Sequence, residues 1–109
     1  MENKRAVIAL TSLAQESRLE IFRLLVKAGP KGVSAGKISE LCKIPPSTLS
    51  FHLKELLIGG LVSSRQEGRF VIYYAQFEQM NQLMAFLTEN CCGGENCFQP
   101  LDHSCEVNC

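Results

Sequence analysis

Apolar residues recur at helical spacing through most of the chain. Ala6, Val7, Leu10, Leu13 and Ala14 form one stripe and predict a first helix. Leu19, Phe22, Leu25 and Val26 form the inward side of a second. The run "SRLE" at its start has the form of a capping box, with the Ser17 hydroxyl and the Glu20 carboxylate each reaching a backbone N–H. "AGPKG" at 28–32 ends that helix. Ser34 is placed to cap a short third helix carrying Ile38, Leu41 and Cys42 on one side. Pro45-Pro46 stops it and starts a fourth, because proline is tolerated in a first helical turn. The fourth helix runs to about Ile58, with Leu49, Leu53, Leu56 and Leu57 on its apolar side, and Gly59-Gly60 ends it.

The period then changes. In "LVSSRQEGRFVIYYA", Glu67-Gly68 marks a hairpin between two strand-like runs, the second rich in aromatic and β-branched residues. From Phe77 to about Asn90 the helical period returns through Phe77, Met80, Leu83, Met84, Phe86 and Leu87. That stripe is broad for the outermost helix of a small domain, so it is expected to face both its own core and a second subunit. The last 19 residues show no regular period. The chain thus reads as a folded unit over 1–90 and a tail over 91–109.

A length of 109 residues allows one domain with a modest core. Hydrophobic residues at 46% and charged residues at 20% give an ordinary globular balance. A net charge of zero would argue against a nucleic-acid partner, but the distribution does not. All eleven Lys and Arg lie between Lys4 and Arg69, against six acids in the same stretch, so the first 69 residues carry +5 and the last 40 carry −5. The halves therefore suggest a basic working surface and an acidic end.

No uncharged apolar run approaches the ~18 residues of a membrane span, so no membrane role is expected. The stretch from Lys4 to Ala14 has a passing likeness to a secretion signal, but its apolar run covers only Ala6–Leu10. That is shorter than the ~7–15 residues of a signal core. A cytoplasmic location follows as the expectation, with thiols kept reduced.

Two short helices, a tight turn, a further helix and a hairpin make a winged helix-turn-helix: mainly α with a small β-hairpin wing. The fourth helix suits the major groove of double-stranded DNA. Opposite its leucines lie Ser47, Thr48, Phe51, Lys54 and Glu55, with Ser50 and His52 on the flanks. Ser, Thr and Lys suit phosphates and base edges. Phe51 either packs under the preceding helix or meets a thymine methyl, and His52 is either structural or a phosphate contact. Arg65 and Arg69 bracket the hairpin turn and would reach DNA from the wing.

The runs "LTSLAQESRLEIFRLLVKAGP" and "STLSFHLKELLIGGLVSSRQEGRFVIYY" resemble the ArsR family of metalloregulatory repressors over residues 6 to about 90. The resemblance implies a homodimer built on the first and last helices, bound to a pseudo-palindromic operator and released by a metal or metalloid. Two departures stand out. Many arsenic-responsive members carry a Cys-x-Cys pair at the start of the third helix, where this chain reads "VSAGKISELCK" with Ser34 and Gly36. Phe51 stands where an arginine is common.

Five of the six cysteines instead crowd the tail, "ENCCGGENCFQPLDHSCEVNC". Its beginning is similar to a family variant whose inducer site follows the last helix in a Cys-Cys…Cys arrangement. The resemblance implies that Cys91, Cys92 and Cys97 bind trivalent arsenic, or antimony, through three sulfurs. Thiolates are soft ligands and suit such ions. Adjacent cysteines on a regular helix point ~100° apart, so the helix must end here for both to reach one atom. Asn90 and Gly93-Gly94 permit that ending.

Other readings of the tail stay open. Cys97, His103, Cys105 and Cys109 could add a ligand or form a second site for zinc or cadmium, and thiol oxidation is a further signal. Cys105, Cys109 and the lone upstream Cys42, expected in the core, have no assigned role. The expected function is a repressor of an arsenic-resistance operon. A thiol enzyme is disfavoured, because cysteines after a helix C-terminus meet a dipole that opposes thiolate formation. A metal-storage protein would have no use for the DNA-binding motif.

Overall fold

The structure is a computed structural model that describes residues 1–90. Five helices surround a small sheet: α1 (Asn3–Leu13), α2 (Glu16–Ala28), α3 (Ala35–Cys42), α4 (Pro46–Ile58) and α5 (Phe77–Leu87). A single 3-10 turn, Gly29–Lys31, follows α2. The strands are β1 (Val33–Ser34), β2 (Val62–Glu67) and β3 (Phe70–Ala75), in antiparallel order β1-β3-β2. This is the expected winged helix-turn-helix, with one strand more than the hairpin alone. Val33 pairs with Tyr73 and Ser34 with Ile72, so the chain entering α3 is stitched to the wing.

The core is assembled from one side of each helix and the base of the sheet. Ile21 and Leu25 of α2, Ile38 of α3, Leu56 of α4, then Leu61 and Val62, are its most deeply buried large side chains. Burying side chains of this size contributes roughly 1.5–3 kcal/mol each. Leu49 and Leu53 join them, as the fourth-helix pattern requires.

Four local expectations are corrected. The α2 cap is Gln15, whose side-chain oxygen accepts from the Arg18 backbone N–H at 3.0 Å. Ser17 therefore lies inside the first turn, and there is no capping box at Ser17. In α1 the buried residues are Ala6, Ala9 and Ser12, while Val7, Ile8 and Leu10 face outward. Small side chains are buried because α1 lies against the end of α4: a Cβ at Gly59 would fall on the Ser12 side chain. Leu19, Leu41 and Leu57, expected inward, are exposed. Finally, α5 stops at Leu87 rather than near Asn90, where the backbone turns left-handed at φ 58°. Thr88 closes the helix end by donating its hydroxyl to the Met84 carbonyl at 2.9 Å.

Candidate nucleic-acid interface

The turn between α3 and α4 is held by local chemistry. Lys43 takes a left-handed φ of 58°, which reverses the chain. Ile44 is buried behind it, donates its N–H to the Ser39 carbonyl at 3.1 Å, and accepts from the Ser39 hydroxyl. Ser34 caps α3 as expected, accepting from the Lys37 N–H at 3.3 Å. Pro45 is extended and Pro46 begins α4, where a missing N–H costs nothing.

With Leu49, Leu53 and Leu56 turned inward, α4 presents Ser47, Thr48, Ser50, Phe51 and Lys54 to solvent. Phe51 is 57% exposed, so it does not pack under the preceding helix. Its ring lies beside that of His52, with centroids 5.8 Å apart and planes tilted by 58°. An exposed aromatic amid hydroxyls and one lysine is suited to apolar contact with a thymine methyl, alongside hydrogen bonds to phosphates and base edges.

His52 lies elsewhere. It is 8% exposed, and its Nδ1 faces the Arg18 guanidinium of α2 at 3.4 Å. Because arginine only donates, Nδ1 must accept, which places the imidazole proton on Nε2. Burial first, and the Arg18 charge second, hold its pKa below the ordinary histidine value. The neutral ring thus ties α4 to α2. Arg18 was not expected to take part. A cation in the first turn of a helix opposes the dipole, and that was the only signal in the sequence. The Arg18 Nε is also buried without a hydrogen-bond partner.

The two wing arginines differ as sharply. Glu67 pairs with Phe70, so the turn is Gly68-Arg69, with Gly68 at φ 61° as a two-residue hairpin of this kind requires. Arg69 sits in that exposed turn and makes no hydrogen bond or ion pair among the described residues. Arg65 is inside β2 and folds back. Its Nε donates to Glu67 at 2.6 Å, Nη1 to the Pro30 carbonyl at 3.2 Å and Nη2 to the Lys31 carbonyl at 2.7 Å. Its guanidinium carbon lies 5.3 Å from the Tyr74 ring centre. Arg65 therefore braces the wing base against the 3-10 turn.

Residues 13–65 match the helix-turn-helix domain family. The transcriptional activator HlyU of Vibrio cholerae is 31% identical over 83 residues, covering 76% of this chain and 74% of HlyU. Its solved structure superposes with a TM-score of 0.65, covering 84% of this chain and 99% of that one at 31% identity. The arsenical resistance operon repressor of Bacillus subtilis is 33% identical over 81 residues, covering 74% of this chain and 73% of the repressor.

The chain belongs to the ArsR family.

It is a DNA-binding transcriptional regulator rather than an enzyme, as these relatives are regulators. A third relative, the HTH-type transcriptional regulator YceK of Bacillus subtilis, is 41% identical over 58 residues, which span 53% of this chain and 57% of YceK. Among the described residues no helix is long and apolar enough to cross a membrane.

The cysteine site expected from the ArsR resemblance, Cys91, Cys92 and Cys97, lies outside the described residues, as do His103, Cys105 and Cys109. Within them no group of three or more His, Cys, Asp or Glu side chains converges as a metal site would require. Cys42 is half-buried at the end of α3 and packs against the core. Burial, then the Glu20 carboxylate, push its thiol pKa up, which opposes thiolate formation.

Proposed function

We propose that this ArsR-family regulator is a cytoplasmic, homodimeric repressor of an arsenic-resistance operon. Trivalent arsenic or antimony, bound by the thiolates of Cys91, Cys92 and Cys97, releases it from its operator. The observation that carries the reading is the sequence "CCGGENC", which follows α5 and its Thr88–Asn90 turn directly in the chain. The donor set suits the ion: three soft sulfurs within seven residues, with glycines between them. The other family position offers no thiols, since Ser34 is spent as the α3 cap and Gly36 has no side chain. The named role of the Bacillus relative supports arsenic as the signal.

The homodimer reading rests on outward apolar residues at both ends of the chain's folded unit. Val7, Ile8 and Leu10 on α1, with Met84 and Leu87 on α5, leave large side chains in solvent. Exposed apolar groups on two helices favour burial against a second copy. Two α4 helices in successive major grooves would then lie ~34 Å apart. Release requires that the ligand bind the DNA-free form better, by typically ~1–3 kcal/mol.

The test is a gel shift on the protein's own promoter with arsenite, zinc, cadmium and peroxide added separately. Arsenite releases wild type but not Cys91→Ser or Cys97→Ser. DNA binding indifferent to arsenite would remove the inducer, and release by zinc, cadmium or peroxide alone would reassign it. Failure to bind under reducing conditions would remove the repressor.

A further inference from the structure

We propose that the groove between α2, the 3-10 turn and the Phe70 end of β3 binds a small amphipathic organic anion, with one apolar body and one carboxylate or sulfonate. The groove is open to solvent on one side and has a volume of about 650 Å³, within the ~300–1,000 Å³ of small-molecule sites. It exists because β1 is short. After Ser34 pairs with Ile72 the chain turns into α3, so the rest of β3 has no strand on that side. Phe70 and Ile72, two residues apart, share one face of β3 there.

The floor is apolar and in part open to water. Leu24, Leu41, Phe70 and Ile72 line it, with Phe70 64% and Leu41 52% exposed. Neither serves the core, and both gain by contact with an apolar occupant. The remaining side chains set the charge. Lys27, Lys31 and Lys37 line the groove and no carboxylate does, although Glu40 reaches Lys37 at 4.0 Å from outside. A neutral apolar compound would leave Lys27 and Lys31 unanswered, and a bare inorganic anion would leave the apolar floor wet.

The walls are fixed in advance, which lowers the ordering cost of binding. The Arg65 guanidinium holds the Pro30 and Lys31 carbonyls in place. Gly32, at φ 71°, brings the backbone so near β3 that a Cβ would come within 2.5 Å of the Tyr73 carbonyl oxygen. The bracing by Arg65 thus has a use beyond the wing. The site shares no residue with the exposed face of α4 or with the tail cysteines.

The test uses the full-length reduced protein and the fluorescent probe 8-anilinonaphthalene-1-sulfonate. Decanoate displaces the probe, and decanol at equal concentration does not. The double variant Leu41→Ser, Phe70→Ser weakens the probe by about tenfold or more, equivalent to losing one good contact. The triple variant Lys27→Gln, Lys31→Gln, Lys37→Gln weakens it by about threefold or more, since solvent screens these charges. Both variants alter exposed side chains, and amide NMR shifts on titrating wild type with decanoate, centred on Gly32, Val33 and Phe70, give a readout that needs no variant. Equal displacement by decanol, unchanged binding in both variants, or shifts confined to α1 and α5 would overturn the proposal. So would a triple variant that loses promoter affinity while keeping the probe, because the lysines would then serve DNA.

Discussion

Helices α1 and α4 are similar in length, 11 and 13 residues, and each buries one side, yet their outer sides differ everywhere but at the end of α4, where Leu57 and Ile58 are exposed. The outer side of α1 carries Val7, Ile8 and Leu10; that of α4 carries Ser47, Thr48, Ser50 and Lys54 around Phe51. An apolar outer face is completed by another protein surface, and a hydroxyl- and amine-bearing one by phosphates and base edges. A helix buried on one side is therefore not yet explained: its second face states its partner. In α1 that second face attracted the apolar side chains, and small ones were left for the inside.

The largest effect should come from making the α1 and α5 faces alike to α4. Val7→Glu with Leu87→Glu places charges on both apolar surfaces without touching the core. Sedimentation should show monomers, and promoter affinity should fall by about 100-fold or more as the second half-site is lost. A dimer that survives both charges would place the contact elsewhere.

An intermediate effect separates the two wing arginines. Arg69→Ala should lower promoter affinity by several-fold and reduce the salt slope by about one, the signature of one phosphate contact. Its thermal midpoint should not move. Arg65→Ala should do the reverse first, lowering the midpoint by a few degrees, consistent with about 1 kcal/mol from its bonds to Pro30 and Lys31. Equal behaviour of the two variants would erase the distinction between tip and base.

The smallest effect concerns pH. The folded-state pKa of His52 is depressed, so the unfolded chain binds its proton more readily. Stability tied to the neutral ring is then present above about pH 6.5 and declines as pH falls through that value toward the lower folded pKa. His52→Gln should flatten that part of a stability-versus-pH curve measured by urea unfolding. A curve of unchanged shape would assign the acid sensitivity to other groups.

Helix α4 was legible because its limits and its inner face are written locally: Pro45-Pro46, Gly59-Gly60, and leucines at helical spacing. The hairpin was legible for the same reason, from Gly68 between two β-rich runs. What escaped depends on distant partners. Strand β1 is two residues long and exists only because β3 lies beside it. Arg65 and Arg69 look equivalent in the sequence, and only the carbonyls of Pro30 and Lys31, 35 and 34 residues away, tell them apart. His52 was open between a structural role and a phosphate contact, and only Arg18, 34 residues earlier, gives it the structural partner. The tail cysteines lie outside the described residues, and the ion proposed for them is what the family resemblance implies.

The most direct test of the account compares one charge reversal on each helix, Lys54→Glu on α4 and Lys4→Glu on α1, in anisotropy titrations of a labelled promoter duplex. Both lysines are exposed and both substitutions change the net charge equally. If the exposed face of α4 reads DNA, Lys54→Glu weakens binding by at least about tenfold, the cost of a lost contact of ~1–3 kcal/mol, whereas Lys4→Glu stays within about threefold. Equal losses would reduce the protein's affinity for DNA to its overall charge and contradict the assignment of that face.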